Sequence, residues 1–169
     1  MIVANGKPAT EKWVEGLVNN FARPPKGGDR DQIKAAAAGQ CDIAIANTYY
    51  YGNMLSDTKD AAQFEAANKM AIFWPNQSDR GAHVNVSGAG ISKYSKNKQE
   101  AIRLLEFLVS EEAQSWYASV NQEYPVSRNA ALSELVASWG TFESDLLNLS
   151  RLGEQNAEAV KIMDRAGWK

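Results

Sequence analysis

Apolar residues recur at three- and four-residue intervals over several stretches of the chain, which is the spacing of one face of an α-helix. The first stretch follows Thr10, which we expect to cap a helix, and a second begins at Asp29 and stops at Gly39. Other helices are predicted over residues 57–68, residues 101–109, a stretch capped by Ser110, and a tail over residues 130–168 that is broken near Trp139, Gly140 and Gly153.

Short runs of apolar and β-branched residues lie between these helices, and their length and composition are typical of buried strands. The predicted strands are residues 41–48, residues 71–74 and residues 83–87. Pro75 ends the second of them, since proline cannot donate to a strand ladder. Helices that alternate with short buried strands predict an α/β protein.

The composition is that of a globular protein of 169 residues, with 44% hydrophobic residues, 22% charged residues and a net charge of −2. This balance gives no electrostatic reason to expect DNA or any other nucleic acid as a partner. No apolar run approaches the ~20 residues that cross a bilayer, and no basic-then-apolar signal segment opens the sequence.

Few residues in this chain are suited to catalysis. Cys41 is the only cysteine, so it excludes an internal disulfide, and we expect it to be a small buried side chain in the first strand. His83 is the only histidine, which leaves a triad or a multi-histidine zinc site without its other members. Asp29 and Asp31 lie at a predicted helix start, where capping explains them. We therefore do not expect an enzyme.

Three consecutive tyrosines, Tyr49, Tyr50 and Tyr51, directly follow the first predicted strand. The carboxyl end of such a strand is where open α/β sheets bind ligands. Phenolate is a hard anionic donor suited to a cation such as Fe(III), which can displace a phenol proton that is otherwise lost near pH ~10. Tyrosine is also common in strands, so the spacing alone leaves packing or ordinary hydrogen bonding open.

The tyrosine block, GQCDIAIANTYYYG at residues 39–52, resembles the signature of the ferric-iron-binding periplasmic proteins of ABC importers. Two later segments resemble the same family in the same order, RGAHVNVSGAGI at residues 80–91 and EYPV at residues 123–126. Several collinear segments are more specific than a tyrosine pair. The resemblance implies a partial α/β fold of the periplasmic-binding-protein type II class, with metal held in a cleft between two lobes.

The resemblance also implies the ligands and their surroundings. It assigns Tyr49 and Tyr50 as ligands of Fe(III) and Tyr51 as an aromatic packing residue. Asn47 matches a family position beside the metal or its accompanying anion, such as carbonate or phosphate. The partner implied is the permease of an ABC importer, and the location implied is the periplasm, where the protein would serve iron uptake as the substrate-binding component of the transporter.

Length is where the chain departs from the family, because it matches only the C-terminal half of proteins about twice its size. We therefore expect a fragment with residues 1–78 in the second lobe, residues 79–128 in the first lobe, and a helical tail over residues 129–169 that returns to the second. Each lobe would lack strands, which favours pairing between copies of the chain in a homo-oligomer. An alternative function is a binding module of the same architecture for an organic or anionic small ligand.

Overall fold

The computed structural model describes residues 1–168, which form helices joined by extended segments and turns. The helices in these residues are α1 (Ile2–Asn5), α2 (Lys7–Asn19), α3 (Asp29–Ala37), α4 (Thr48–Ser56), α5 (Ala61–Asn68), α6 (Lys98–Leu108), α7 (Glu111–Asn121), α8 (Glu134–Ser138) and α9 (Ser150–Arg165). No helix in this part of the chain has both the length and the apolar character that a bilayer crossing requires.

One group of helices, α3, α4 and α5, packs together and positions the tyrosine run. Ile33, Met54 and Ala67 contribute one buried residue from each helix to a shared apolar cluster. Burying a side chain as large as that of Met54 is worth roughly 1.5–3 kcal/mol, so this cluster fixes how α4 lies against its neighbours.

A second group joins the two ends of the described chain, because α9 packs against α1 and α2. Val14 and Ile162 are buried in this group. The ring of Phe21 meets the ring of Trp168 edge to face, with 5.0 Å between the ring centroids. The described part of the predicted tail, up to residue 168, thus packs against the beginning of the chain, while the division into three segments stays a prediction.

The predicted strands are extended but do not form a sheet within residues 1–168, so this part of the sequence analysis is wrong for the chain taken alone. Residues 41–46 and 71–74 make no backbone hydrogen bond with another described backbone group. Ile43 and Phe73 are 81% and 87% exposed. A strand needs a neighbour to satisfy its N–H and C=O groups, and the described residues place none beside these segments.

Cys41 illustrates the same difference, since its side chain is half-buried rather than fully buried. The segment that carries Cys41 is not covered by another element of the described chain. The described residues pair extended backbone at one isolated parallel bridge, between Ala82 and Ser144. There the N–H of Ala82 donates to the carbonyl of Glu143 at 2.8 Å, and its carbonyl accepts from the N–H of Asp145 at 2.8 Å.

The helix starts were predicted with mixed success. Ser110 caps α7 as expected, because its hydroxyl accepts from the N–H of Ala113 at 3.3 Å. Thr10 does not cap α2 but lies inside it, and its hydroxyl donates to the carbonyl of Gly6 at 2.8 Å. The helix starts earlier because Pro8 suits the first turn, where a missing N–H costs nothing.

Two other boundaries also differ from the prediction. Asp60, rather than Asp57, caps α5, because its carboxylate accepts from the N–H of Gln63 at 3.1 Å. Gly153 lies inside α9 and does not break it. Glycine lowers helix stability by only about 1 kcal/mol, so one residue does not end a helix of 16 residues that packs on its neighbours.

Candidate metal centre

The tyrosine run lies in the first turn of a helix rather than at the end of a paired strand. The extended segment 41–47 leads directly into α4, which starts at Thr48. The rings of Tyr49 and Tyr50 lie side by side, with centroids 4.3 Å apart and planes inclined by 36°. Both side chains are partly exposed. The structure therefore brings together the two phenols that the sequence analysis assigned as metal ligands.

The phenol of Tyr49 holds its proton more tightly than an ordinary tyrosine. Hydrogen bonding with the phenol of Tyr50, followed by burial, raises the pKa of Tyr49 to about 12. The negative charges of Asp29 and Glu123 act in the same direction. Tyr49 is therefore neutral at physiological pH, and a cation that binds it as phenolate must displace a proton.

Tyr51 faces the helical cluster rather than the other two tyrosines. Its hydroxyl donates to the carbonyl of Met70 at 2.9 Å, its ring packs against the cluster of α3, α4 and α5, and burial raises its pKa. The ring of Trp139 lies 5.8 Å away between centroids. Consecutive helical residues point about 100° apart, which allows neighbours to face solvent and core. The prediction that Tyr51 is a packing residue is confirmed.

Gly52 gives α4 room to approach the segment that follows α7. A Cβ placed on Gly52 would lie 2.5 Å from the Cβ of Gln122 and 2.9 Å from the Cη2 of Trp139. Gln122 is itself buried in the left-handed conformation, with φ of 57°, and its side-chain carbonyl accepts from the hydroxyl of Ser133 at 2.7 Å. The back of the tyrosine helix is thus tightly enclosed.

We expect Gly52→Ala to lower the free energy of unfolding by roughly 1–3 kcal/mol, because the added methyl group overpacks this contact. Gly16→Ala is the matched control, since a Cβ on Gly16 meets no described atom within 4 Å. Gly16 lies in the interior of α2, where alanine favours the helix by roughly 0.5–1 kcal/mol. Urea unfolding of both variants should give changes of opposite sign, and equal changes would contradict the packing argument.

Asn47, which precedes α4, is held by contacts on both sides of its side chain. Its backbone N–H and its side-chain amide donate to the same carboxylate oxygen of Asp29, at 2.6 and 2.9 Å. Its side-chain carbonyl accepts from the amide of Asn85 at 3.1 Å. An anion that binds the amide donors of Asn47 would have to displace Asp29. The assignment of Asn47 to the metal or anion surroundings stays a prediction.

The other candidates contribute less. Within residues 1–168, no group of three or more His, Cys, Asp and Glu side chains converges as a metal cluster. His83 is exposed. The donor set that the described residues assemble is therefore the pair of phenols, with the carboxylates of Asp29 and Glu123 as nearby negative charge.

These features are those of a binding protein, and residues 3–144 match the family of bacterial extracellular solute-binding proteins, to which the chain belongs. Iron uptake protein A1 of Synechocystis is 47% identical over the whole of this chain, which covers 47% of that protein. The chain thus spans about half the length of the curated relatives it matches.

Solved structures give the same result. A Trichodesmium protein in complex with iron and citrate superposes with a TM-score of 0.94 at 46% identity, over 99% of this chain and 53% of that one. The ferric binding protein of Campylobacter jejuni superposes with a TM-score of 0.94 at 39% identity, over 99% and 53%. The resemblance to ferric-iron-binding proteins and the type II periplasmic-binding-protein fold, in partial form, are confirmed.

Sequence reasoning missed the residues that hold the tyrosine pair in place. Asp29 was assigned to helix capping alone, and neither Asn85 nor Gln122 was considered. No local pattern could have revealed them, because Asp29 and Asn85 lie 18 and 38 positions from Asn47. Gly52 was visible in the sequence directly after the three tyrosines, but its close approach to Gln122 depends on a residue 70 positions away.

Proposed function

We propose that the chain binds ferric iron through Tyr49 and Tyr50, as part of the substrate-binding component of an ABC importer for iron uptake. The observation that carries this proposal is the pair of phenol rings 4.3 Å apart at the start of α4. Two relatives that are 47% and 44% identical to the chain over the aligned residues are iron uptake proteins, which favours iron over an organic or anionic ligand.

The chemistry of the pair suits this cargo. Phenolate is a hard anionic donor, and Fe(III) prefers such oxygens more strongly than Fe(II) does. Two phenolates fill only part of a roughly octahedral shell, so the remaining ligands would come from the other lobe and from an accompanying anion. Closure of the two lobes would complete the site, and opening, protonation or reduction would release the iron. Capture and release need no covalent step.

The proposed function implies which partners the protein has and where it is located. A solute-binding protein that delivers iron docks on the permease of its importer, and we place this one in the periplasm. Nucleic acid is not among the partners, because the net charge is −2 and gives no attraction for phosphate backbones.

A titration of the purified chain with ferric citrate, followed by visible absorbance, tests the proposal. Phenolate bound to Fe(III) gives a ligand-to-metal charge-transfer band, whereas a tyrosine that stacks on an organic ligand does not. Tyr94→Phe is the control for tyrosine content, because Tyr94 is 84% exposed and its ring contacts the ammonium of Lys93. We expect the same band in the wild type and in this variant. Absence of the band in both would refute ferric binding by the chain.

Self-association is a further part of the proposal, because extended segments with unpaired backbone form strands with one another. Ile43 and Ile45 are 81% and 70% exposed on such a segment. We expect a homo-oligomer by size-exclusion chromatography with light scattering, and a shift to monomer when both residues are changed to lysine. Leu104→Lys, on an exposed position of α6, is the matched control. A wild type that is monomeric at micromolar concentration would contradict this prediction.

A further inference from the structure

We infer that Asp29 is a positioning residue for the tyrosine pair: its carboxylate holds Asn47, and Asn47 fixes where α4 begins. The inference rests on the proposed function for its effect on iron, and it goes beyond that function by naming a residue that does not touch the metal. It also gives Asp29 a role that helix capping does not explain.

The contacts converge on one oxygen atom. The Oδ2 of Asp29 accepts from the backbone N–H of Asn47 at 2.6 Å and from its Nδ2 at 2.9 Å. Hydrogen bonds to an ionised carboxylate are about twice as strong as neutral ones, and these two are partly buried. Asp29 is the first residue of α3, so the dipole of its own helix also favours the negative charge.

The side chain of Asn47 does not cap its own helix. A residue at the N-terminal cap normally accepts a hydrogen bond from the first turn of its helix through its side chain. Asn47 makes no such bond. Its side-chain carbonyl instead accepts from Asn85 at 3.1 Å. The start of α4 is therefore held by Asp29 from one side and by Asn85 from the other.

The tyrosine pair follows directly from this anchor. Tyr49 is two residues after Asn47, and the N–H of Tyr50 donates to the carbonyl of Asn47 at 3.2 Å. Asp29 is itself on a rigid element, because Ile33 of the same helix is buried against Met54 of α4. A side chain on a rigid helix thus sets the position of the first turn that carries both phenols.

The test compares Asp29→Asn with Asp31→Asn. Asp31 is on the same turn of α3, where its carboxylate accepts from the N–H of Gly28 at 3.0 Å and pairs with Lys34 at 3.0 Å. Both variants remove one carboxylate from the start of α3, but only Asp29 contacts the residue before α4. Loss of an outer-shell partner typically weakens metal binding about 10–100-fold.

We expect Asp29→Asn to weaken ferric citrate binding by about 10–100-fold and to shift the visible band. Asp31→Asn should leave the affinity and the visible band unchanged. It should lower the thermal midpoint of unfolding about as much as Asp29→Asn does. The inference is overturned if Asp29→Asn binds iron as well as the wild type, or if the two variants weaken binding equally. In the first case the contact with Asn47 does not affect iron binding, and in the second case the effect is shared by both carboxylates at the start of α3 and does not depend on that contact.

A readout without iron separates this inference from the proposed function. Near-UV circular dichroism reports the neighbouring rings of Tyr49 and Tyr50, and hydrogen exchange reports the backbone N–H of Asn47. Asp29→Asn should change the near-UV signal and speed the exchange of the Asn47 N–H, whereas Asp31→Asn should change neither. If the wild type binds no iron, the proposed function fails, and these two signals still decide the inference: unchanged signals in Asp29→Asn would overturn it.

Discussion

Replacing both Tyr49 and Tyr50 with phenylalanine is expected to abolish the ferric charge-transfer band and to weaken ferric binding by at least about a thousandfold. The change removes both phenolate oxygens and keeps both rings, so the contact between the rings can persist. Loss of a residue that only supports a ligand costs about 10–100-fold, and loss of two ligands must cost more. Visible absorbance and equilibrium dialysis against ferric citrate measure the effect, and each single variant should be intermediate.

Tyr51→Phe is the informative control for this experiment. It removes the hydroxyl that donates to the carbonyl of Met70, and this should lower the free energy of unfolding by about 1 kcal/mol. It should leave the ferric band unchanged, because Tyr51 faces the helical cluster. A double variant at positions 49 and 50 that keeps a band of full intensity would show that other tyrosines bind the iron.

Ferric binding is expected to weaken by about 100-fold for each unit that the pH falls, because two phenols must each lose a proton to bind as phenolates. The pKa of Tyr49 is raised to about 12, so this residue carries its proton throughout the physiological range. Lower pH raises the free proton concentration, favours the neutral phenol and therefore favours release. Higher pH has the opposite effect.

Proton release on addition of ferric iron measures this linkage directly, by pH-stat titration or by calorimetry in buffers of different ionisation enthalpy. Two protons are expected per iron from the phenols, after subtraction of the release that ferric citrate itself gives. The variant with phenylalanine at positions 49 and 50 should release none. Affinity that does not change between pH 6 and pH 8, after the same correction, would show that the tyrosines do not bind as phenolates.

The sequence predicted what depends on local pattern. The apolar spacing located α2, α6 and α7, and the tyrosine block identified the two phenols that the structure places together. Tyr51 was assigned to packing, and the helical cluster confirms it. These successes rest on residues that are close in the chain or that belong to one continuous motif.

The errors concern partners that are distant in the chain. The segment around Ile43 has the composition of a buried strand, but composition does not reveal whether a neighbouring strand is present to pair with it. The role of Asp29 could not be predicted either, because a helix start explains an aspartate without any contact to Asn47. Both features depend on tertiary contacts, which a local sequence pattern does not reveal.

The anchoring of Tyr51 affects how tightly the neighbouring phenols bind a ligand and how fast they exchange it. With Tyr51 fixed on the carbonyl of Met70 and Gly52 enclosed by Gln122, the first turn of α4 cannot rotate without breaking the packing behind it. The backbone that carries the two phenols is therefore preorganised, and little backbone entropy remains to be lost when a ligand binds. Exchange of the ligand would then not require the first turn of α4 to unfold or rotate.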